Sequence, residues 1–158
     1  MSGVISSAEL HPAGALAREA TMRALQARVP AEELEKFLAA MSSSEIPAAI
    51  GATASVDIAI WGKAKCEPDG QPWQYDATIW GGPAFFGTAV GFLWTAYTSW
   101  DAFFRNATGV HVQGAASGGG LLQLNWFNES GLPVGQFNAL SGGIGLLEAG
   151  GSGRWQSK

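Results

Sequence analysis

Two periods of apolar residues divide this chain. From residue 8 to 41 apolar positions recur every three to four residues, and from residue 52 onward they recur every second residue. In AGALAREATMRALQARV, Leu16, Ala20, Ala24, Leu25 and Val29 share one face, while Arg18, Glu19, Arg23 and Arg28 lie largely elsewhere. That spacing predicts an amphipathic helix, with Pro12 suited to its first turn. Pro30 interrupts it. PAEELEKFLAAM then begins a second helix with acids in the first turn, where the helix dipole favours them, and with Leu34, Phe37, Leu38 and Met41 as its stripe. Ser42-Ser43-Ser44 and Pro47 read as a linker.

Beyond the linker the pattern is that of strands. In ATASVDIAIWGKAKC, Val56, Ile58 and Ile60 point one way and Ser55, Asp57, Ala59 and Trp61 the other. Pro68-Asp69-Gly70 is a turn, Pro presetting φ and Gly allowing φ > 0. Trp73, Tyr75, Ala77 and Ile79 then alternate with Gln74, Asp76, Thr78 and Trp80, until Gly81-Gly82-Pro83 is expected to end that strand. Residues 85–97 are nearly apolar on both faces, as in a strand buried on both sides. A short Ser99–Arg105 segment precedes strands at 108–115, 121–127, 134–140 and 144–148, the last extended by Arg154-Trp155-Gln156. The connection Asn128–Pro133 is the clearest hairpin. Seven or eight short strands at this spacing predict a mainly β fold: a compact antiparallel β-barrel of about eight strands with an N-terminal α-helical extension. Residues 1–47 form the helical arm and linker, and residues 48–158 the barrel.

Composition narrows the function classes. A chain of 158 residues is long enough for one ordinary core, and 47% apolar with only 14% charged residues argues against disorder. Net charge −4, with basic residues sparse after residue 50, gives no footprint for nucleic acid. One cysteine, Cys66, cannot form an internal disulfide and reads as a small residue at a strand end. The opening MSGVISSAELHPAG shows neither the charged start nor the apolar run of a secretory signal, and no apolar stretch reaches the length of a membrane-spanning helix.

Catalytic motifs are scarce. His11 reads as solvated at a helix start, and His111 as a hydrogen-bonded strand residue. No metal-ligand spacing, phosphate-loop lysine or nucleophile elbow is present, so no cofactor is expected. Asp57 and Asp76 share their strand faces with Trp61 and Trp80. Facing out, these carboxylates are merely solvated. Lining a lumen, they could act as general acid and base, with burial raising one pKa. Seven tryptophans restore volume missing from a glycine-rich chain, and any on the surface would suit a lipid interface or a sugar platform.

The C-terminal segment LNWFNESGLPVGQFNALSGGIGLLEAGGSGRWQ resembles the closing strands of the virulence-associated (Vap) proteins of Rhodococcus-type actinobacteria. The resemblance rests on Leu124–Phe127, Gly135–Phe137, Ser141-Gly142-Gly143 and Gly150–Gln156. It implies a packed eight-stranded barrel in a secreted protein of a family not known as enzymatic, some of whose members act on the host phagosome or its membranes, and it transfers no catalytic residues. The helical arm and the missing leader depart from the family pattern. The leading expectation is thus a non-enzymatic effector or interaction module that engages a lipid membrane or a protein partner. Exposed Trp and Phe would anchor it, and the arm would assist. The alternative is a small-molecule-binding or cyclase-type barrel whose lumen is lined by Asp57, Trp61, Asp76, Trp80 and Trp94, which requires a cavity of at least ~300 Å³. A homo-oligomer assembled through the N-terminal helices is the third reading.

Overall fold

A computed structural model describes residues 10–115, 120–141 and 144–158. The chain's opening residues and parts of SGGG and Ser141-Gly142-Gly143, all noted in the sequence, lie outside the described residues. Both expected helices form, as α1 (Ala15–Leu25) and α2 (Ala31–Ala40). Ala20, Ala24, Leu25 and Val29 are buried, as are Leu34, Phe37, Leu38 and Met41, so the 3.6-residue stripes face inward as expected. Leu16 is only partly covered. The two helices are tied at their surface by Arg18 and Glu35, 3.0 Å apart, a solvated pair that adds little stability.

Among the described residues the β region contains six strands: β1 (Ile50–Pro68), β2 (Trp73–Thr95), β3 (Gly109–Ala115), β4 (Leu121–Phe127), β5 (Pro133–Leu140) and β6 (Leu147–Ser157). All pair antiparallel in the order β1-β2-β5-β4-β3-β6. β2 pairs along its length with β1, while its residues 73–82 also pair with β6 and residues 92–95 with β5. The sheet therefore nearly closes into a ring.

The count of about eight is corrected to six because two long strands bend instead of stopping. Gly81-Gly82-Pro83 does not end the strand beginning at Trp73. Gly81 stays paired with Ile60 and Ala149, at φ 151°, where a Cβ would lie 2.2 Å from the Glu148 carbonyl oxygen. β1 turns between Ile58 and Ile60, where the register shifts and Ile60 takes φ 77°. A Cβ on Gly62 would sit 1.8 Å from the Asp57 carbonyl oxygen, so this corner requires glycine. The bulge also reverses one expectation: Ile60 leaves the face of Val56 and Ile58 and is 78% exposed. Residues 85–97 likewise are not buried throughout, since Phe86 and Val90 face solvent while Leu93, Trp94 and Thr95 are buried.

Ser99–Arg105 folds as a helix, α3 (Trp100–Asn106), capped by the Ser99 hydroxyl accepting from Ala102 N–H at 3.1 Å. It inserts Phe103 and Phe104 among Tyr75, Trp126 and Trp155, with Trp126–Trp155 centroids 5.6 Å apart and Phe104–Trp155 centroids 4.9 Å apart. Aromatic volume thus fills the space that small residues such as Ala64, Ala77 and Ala139 leave in the ring's interior. A second core lies outside the ring, where α1 and α2 pack their stripes with Trp94, Ala115 and Leu121.

Candidate functional site

Four exposed large apolar side chains, Ile60, Trp61, Trp80 and Phe86, lie along the corner made by the two bent strands. Trp61 and Trp80 oppose each other across β1 and β2, with ring centroids 6.3 Å apart, and are 57% and 61% exposed. Ile60 sits opposite Gly81, and Phe86 opposite Asp57. Alternation along the strands explains the outward aim: Ala64, Tyr75, Ala77 and Ile79 take the interior face, which leaves Trp61 and Trp80 to solvent. Further along the same face Lys63 contacts Asp76 at 3.6 Å, Lys65 opposes Asp76 on β1, and Arg154 opposes it on β6. The corner therefore presents an apolar aromatic tip with a partly neutralised basic flank.

The residues singled out in the sequence do not come together on an interior cavity. Asp57, Trp61 and Trp80 lie on the outer face, Asp76 is partly exposed in its ion pair, and Trp94 is 4% exposed beneath the arm. Trp94 packs edge-on against His11 at 5.7 Å and tilts against Phe92 at 6.2 Å. His11 is accordingly not free in solvent: its Nδ1 accepts from Ala13 N–H at 2.9 Å, and burial lowers its pKa. Cys66 is fully buried, and burial together with nearby Glu67 and Asp69 pushes its thiol pKa up, as for an inert core thiol.

A second constellation was not found by sequence reasoning. On the outer face of β3, β4 and β5, His111, Gln113, Gln123, Asn125, Gln136 and Asn138 form two rows across the strands. All six are buried, because α1 lies on them. Gln113 donates to the Ala20 carbonyl at 2.5 Å and to Gln123 Oε1 at 2.9 Å. Gln123 Nε2 lies within hydrogen-bond distance of the Ala17 carbonyl, Thr21 Oγ1 and Asn138 Oδ1. Gln136 donates to Thr21 Oγ1 and Asn125 Oδ1, both at 2.7 Å, and Asn138 donates to the Leu10 carbonyl at 3.0 Å. His111 is the exception. It is 1% exposed, neither ring nitrogen has a hydrogen-bond partner among the described residues, and Nε2 lies 3.8 Å from Glu148 Oε2. Burial, and secondarily the charge of Arg28, lowers its pKa to about 4, so the ring is neutral at pH 7. The signal was present in the alternation: each of these polar residues falls between interior residues such as Val110, Val112, Leu122, Leu124, Trp126 and Phe137.

Virulence-associated protein VapB from Rhodococcus equi superposes with a TM-score of 0.60 at 18% identity, over 70% of this chain and 98% of its own. The fold is Vap-like. VapD from the same organism matches with a TM-score of 0.55 at 16% identity, over 69% of this chain and 97% of its own. The expected resemblance thus holds as a likeness of fold to VapB and VapD. No family model matches the chain, and no curated protein matches it in sequence.

Proposed function

We propose that this Vap-like protein is a non-enzymatic interaction module that attaches to anionic membrane surfaces through the Trp61–Trp80 corner. The observation that carries this reading is the exposed tryptophan pair, with Ile60 beside it, on an outward bend. Indole rings suit the boundary between headgroups and acyl chains, because one edge is apolar and the ring N–H can remain hydrated. A monomeric surface seldom leaves large aromatics grouped without a contact to make. An outward-bent corner suits insertion into a lipid surface better than it suits holding a small ligand. Lys63, Lys65 and Arg154 on the flank would add electrostatic attraction to anionic headgroups, reduced by Asp57 and Asp76. The interior filled by Tyr75, Phe103, Trp126 and Trp155 supports binding from the outside of the barrel.

The test is sedimentation with vesicles of phosphatidylcholine alone and of phosphatidylcholine with phosphatidylglycerol. The reading expects attachment to the anionic vesicles, weakened by salt and lost in Trp61→Ala/Trp80→Ala. Equal behaviour of the wild type and this double variant would overturn it.

A further inference from the structure

The amide rows under α1 exceed what seating a helix requires. The face that α1 presents there is Ala17, Ala20, Thr21 and Ala24, a stripe of small residues that an apolar sheet face would hold without burying any amide. Instead the sheet offers five amide side chains and a histidine, and the arm answers mainly with backbone carbonyls at Leu10, Ala17 and Ala20 and the Thr21 hydroxyl. Among the described residues, His111 receives no answer at either nitrogen. A buried polar group left unpaired in an otherwise satisfied network marks a place where another hydrogen-bonding partner fits.

The chemistry of the face identifies the kind of partner. Its rows supply donors and acceptors side by side and carry no formal charge at pH 7. At one end stand aromatic rings, Trp94 opposite Gln136 and Phe92 opposite Asn138. At the other, Gln113 opposes Glu148, which borders an open groove of about 320 Å³ together with Arg23 and Leu147. Hydroxyl groups both donate and accept, and a sugar ring stacks its C–H face on an aromatic side chain. VapB is matched over 98% of its length by 70% of this chain, about the share that Ile50–Ser157 makes of the whole, so a length of chain similar to that of the arm has no counterpart in VapB. We propose that the outer face of β3, β4 and β5 is a binding site for an uncharged carbohydrate chain, and that α1 is a lid occupying its hydrogen-bonding groups until such a ligand displaces it.

The experiment uses the full chain, a panel of uncharged gluco-, manno- and galacto-hexasaccharides, titration calorimetry and backbone hydrogen exchange. Ala20→Phe drives a ring between α1 and the amides of Gln113 and Gln123. Exchange in α1 is expected to rise at least tenfold while β4 and β5 stay protected. Affinity for at least one hexasaccharide is expected to exceed that of the wild type at least tenfold, and to vanish when Gln136→Leu is added. In the wild type, a saturating hexasaccharide is expected to speed exchange in α1. A freed α1 with no hexasaccharide bound overturns the proposal. So does binding that survives Gln136→Leu, or binding that slows α1 exchange. Should Ala20→Phe unfold the sheet, the wild type decides alone: millimolar hexasaccharide that leaves α1 exchange unchanged refutes the site and its lid together.

Discussion

Lowering the pH tests the reading of His111 directly. The ring is 1% exposed and unpaired, and its pKa falls from 6.5 to about 4 because burial disfavours the charged form, with Arg28 adding repulsion. As pH drops, the unfolded chain binds a proton at this residue near 6.5, whereas the folded chain resists until near 4. The folded state therefore carries its full stability above pH 6.5, loses it progressively between 6.5 and about 4, and loses no more from this group below that. The interval corresponds to about 3 kcal/mol at roughly 1.4 kcal/mol per pH unit. Carboxylates change over part of the same range, so the comparison must be differential. Urea unfolding at pH 7.5 and pH 4.5, for wild type and His111→Gln, isolates the histidine. Glutamine extends the amide rows and does not titrate. The wild type is expected to lose about 2 to 3 kcal/mol more than the variant between the two pH values. Equal losses would mean that His111 is solvated or paired in the folded protein. Glu148, at 3.8 Å, is the group that could soften the effect by turning to pair with the protonated ring. Glu148→Gln should then enlarge the wild-type loss.

Three further outcomes follow from the packing. Thr21→Val removes the acceptor that Gln123 and Gln136 reach at 3.2 and 2.7 Å, and should cost about 1–3 kcal/mol in urea unfolding, with Thr21→Ser restoring most of it. Gly62→Ala places a methyl group 1.8 Å from a backbone oxygen that cannot move aside without opening the β1 corner. It should cost about 2 kcal/mol or more and lower the melting temperature. Cys66, buried with its thiol pKa raised, should not react with an aromatic disulfide reagent in the native protein and should react fully in urea; rapid native labelling would contradict its placement.

The helices were readable because their stripes are local: Leu34, Phe37, Leu38 and Met41 declare their face within a few turns, and all are buried. The alternation from Tyr75 to Trp80 and the Asn128–Pro133 hairpin were readable for the same reason, the latter closed by Asn128 Oδ1 accepting from Ser130 and Leu132 N–H, each at 3.0 Å. Strand count was not, because Gly81-Gly82-Pro83 carries every local sign of a break while the neighbouring strands hold the ladder together through it. α3 was missed although Ser99, Asp101 and Arg105 mark its start and end, with Arg105 paired to Asp101 one turn back. Alternation pairs Trp61 and Trp80 with Asp57 and Asp76 on one face, but whether that face is the inner or the outer one depends on how the whole sheet curls, a long-range property. The amide rows were hidden differently. Polar residues alternating with apolar ones read as a solvated face, and only the placement of α1 buries Gln123 and Asn138.

The proposed function rests on the bent corner of β1 and β2 as the surface that attaches to membranes. Its most direct measurement is Trp fluorescence of full-length protein titrated with phosphatidylcholine–phosphatidylglycerol vesicles, for wild type and Trp61→Ala/Trp80→Ala. Each indole presents roughly 100 Å² of accessible apolar surface, worth about 2 kcal/mol if transferred into the interface. A blue shift is expected in the wild type and, by co-sedimentation with the same vesicles, at least a hundredfold weaker binding in the double variant, with unfolding stability unchanged. Wild-type emission unmoved by vesicles, or binding that survives loss of both rings, would contradict it.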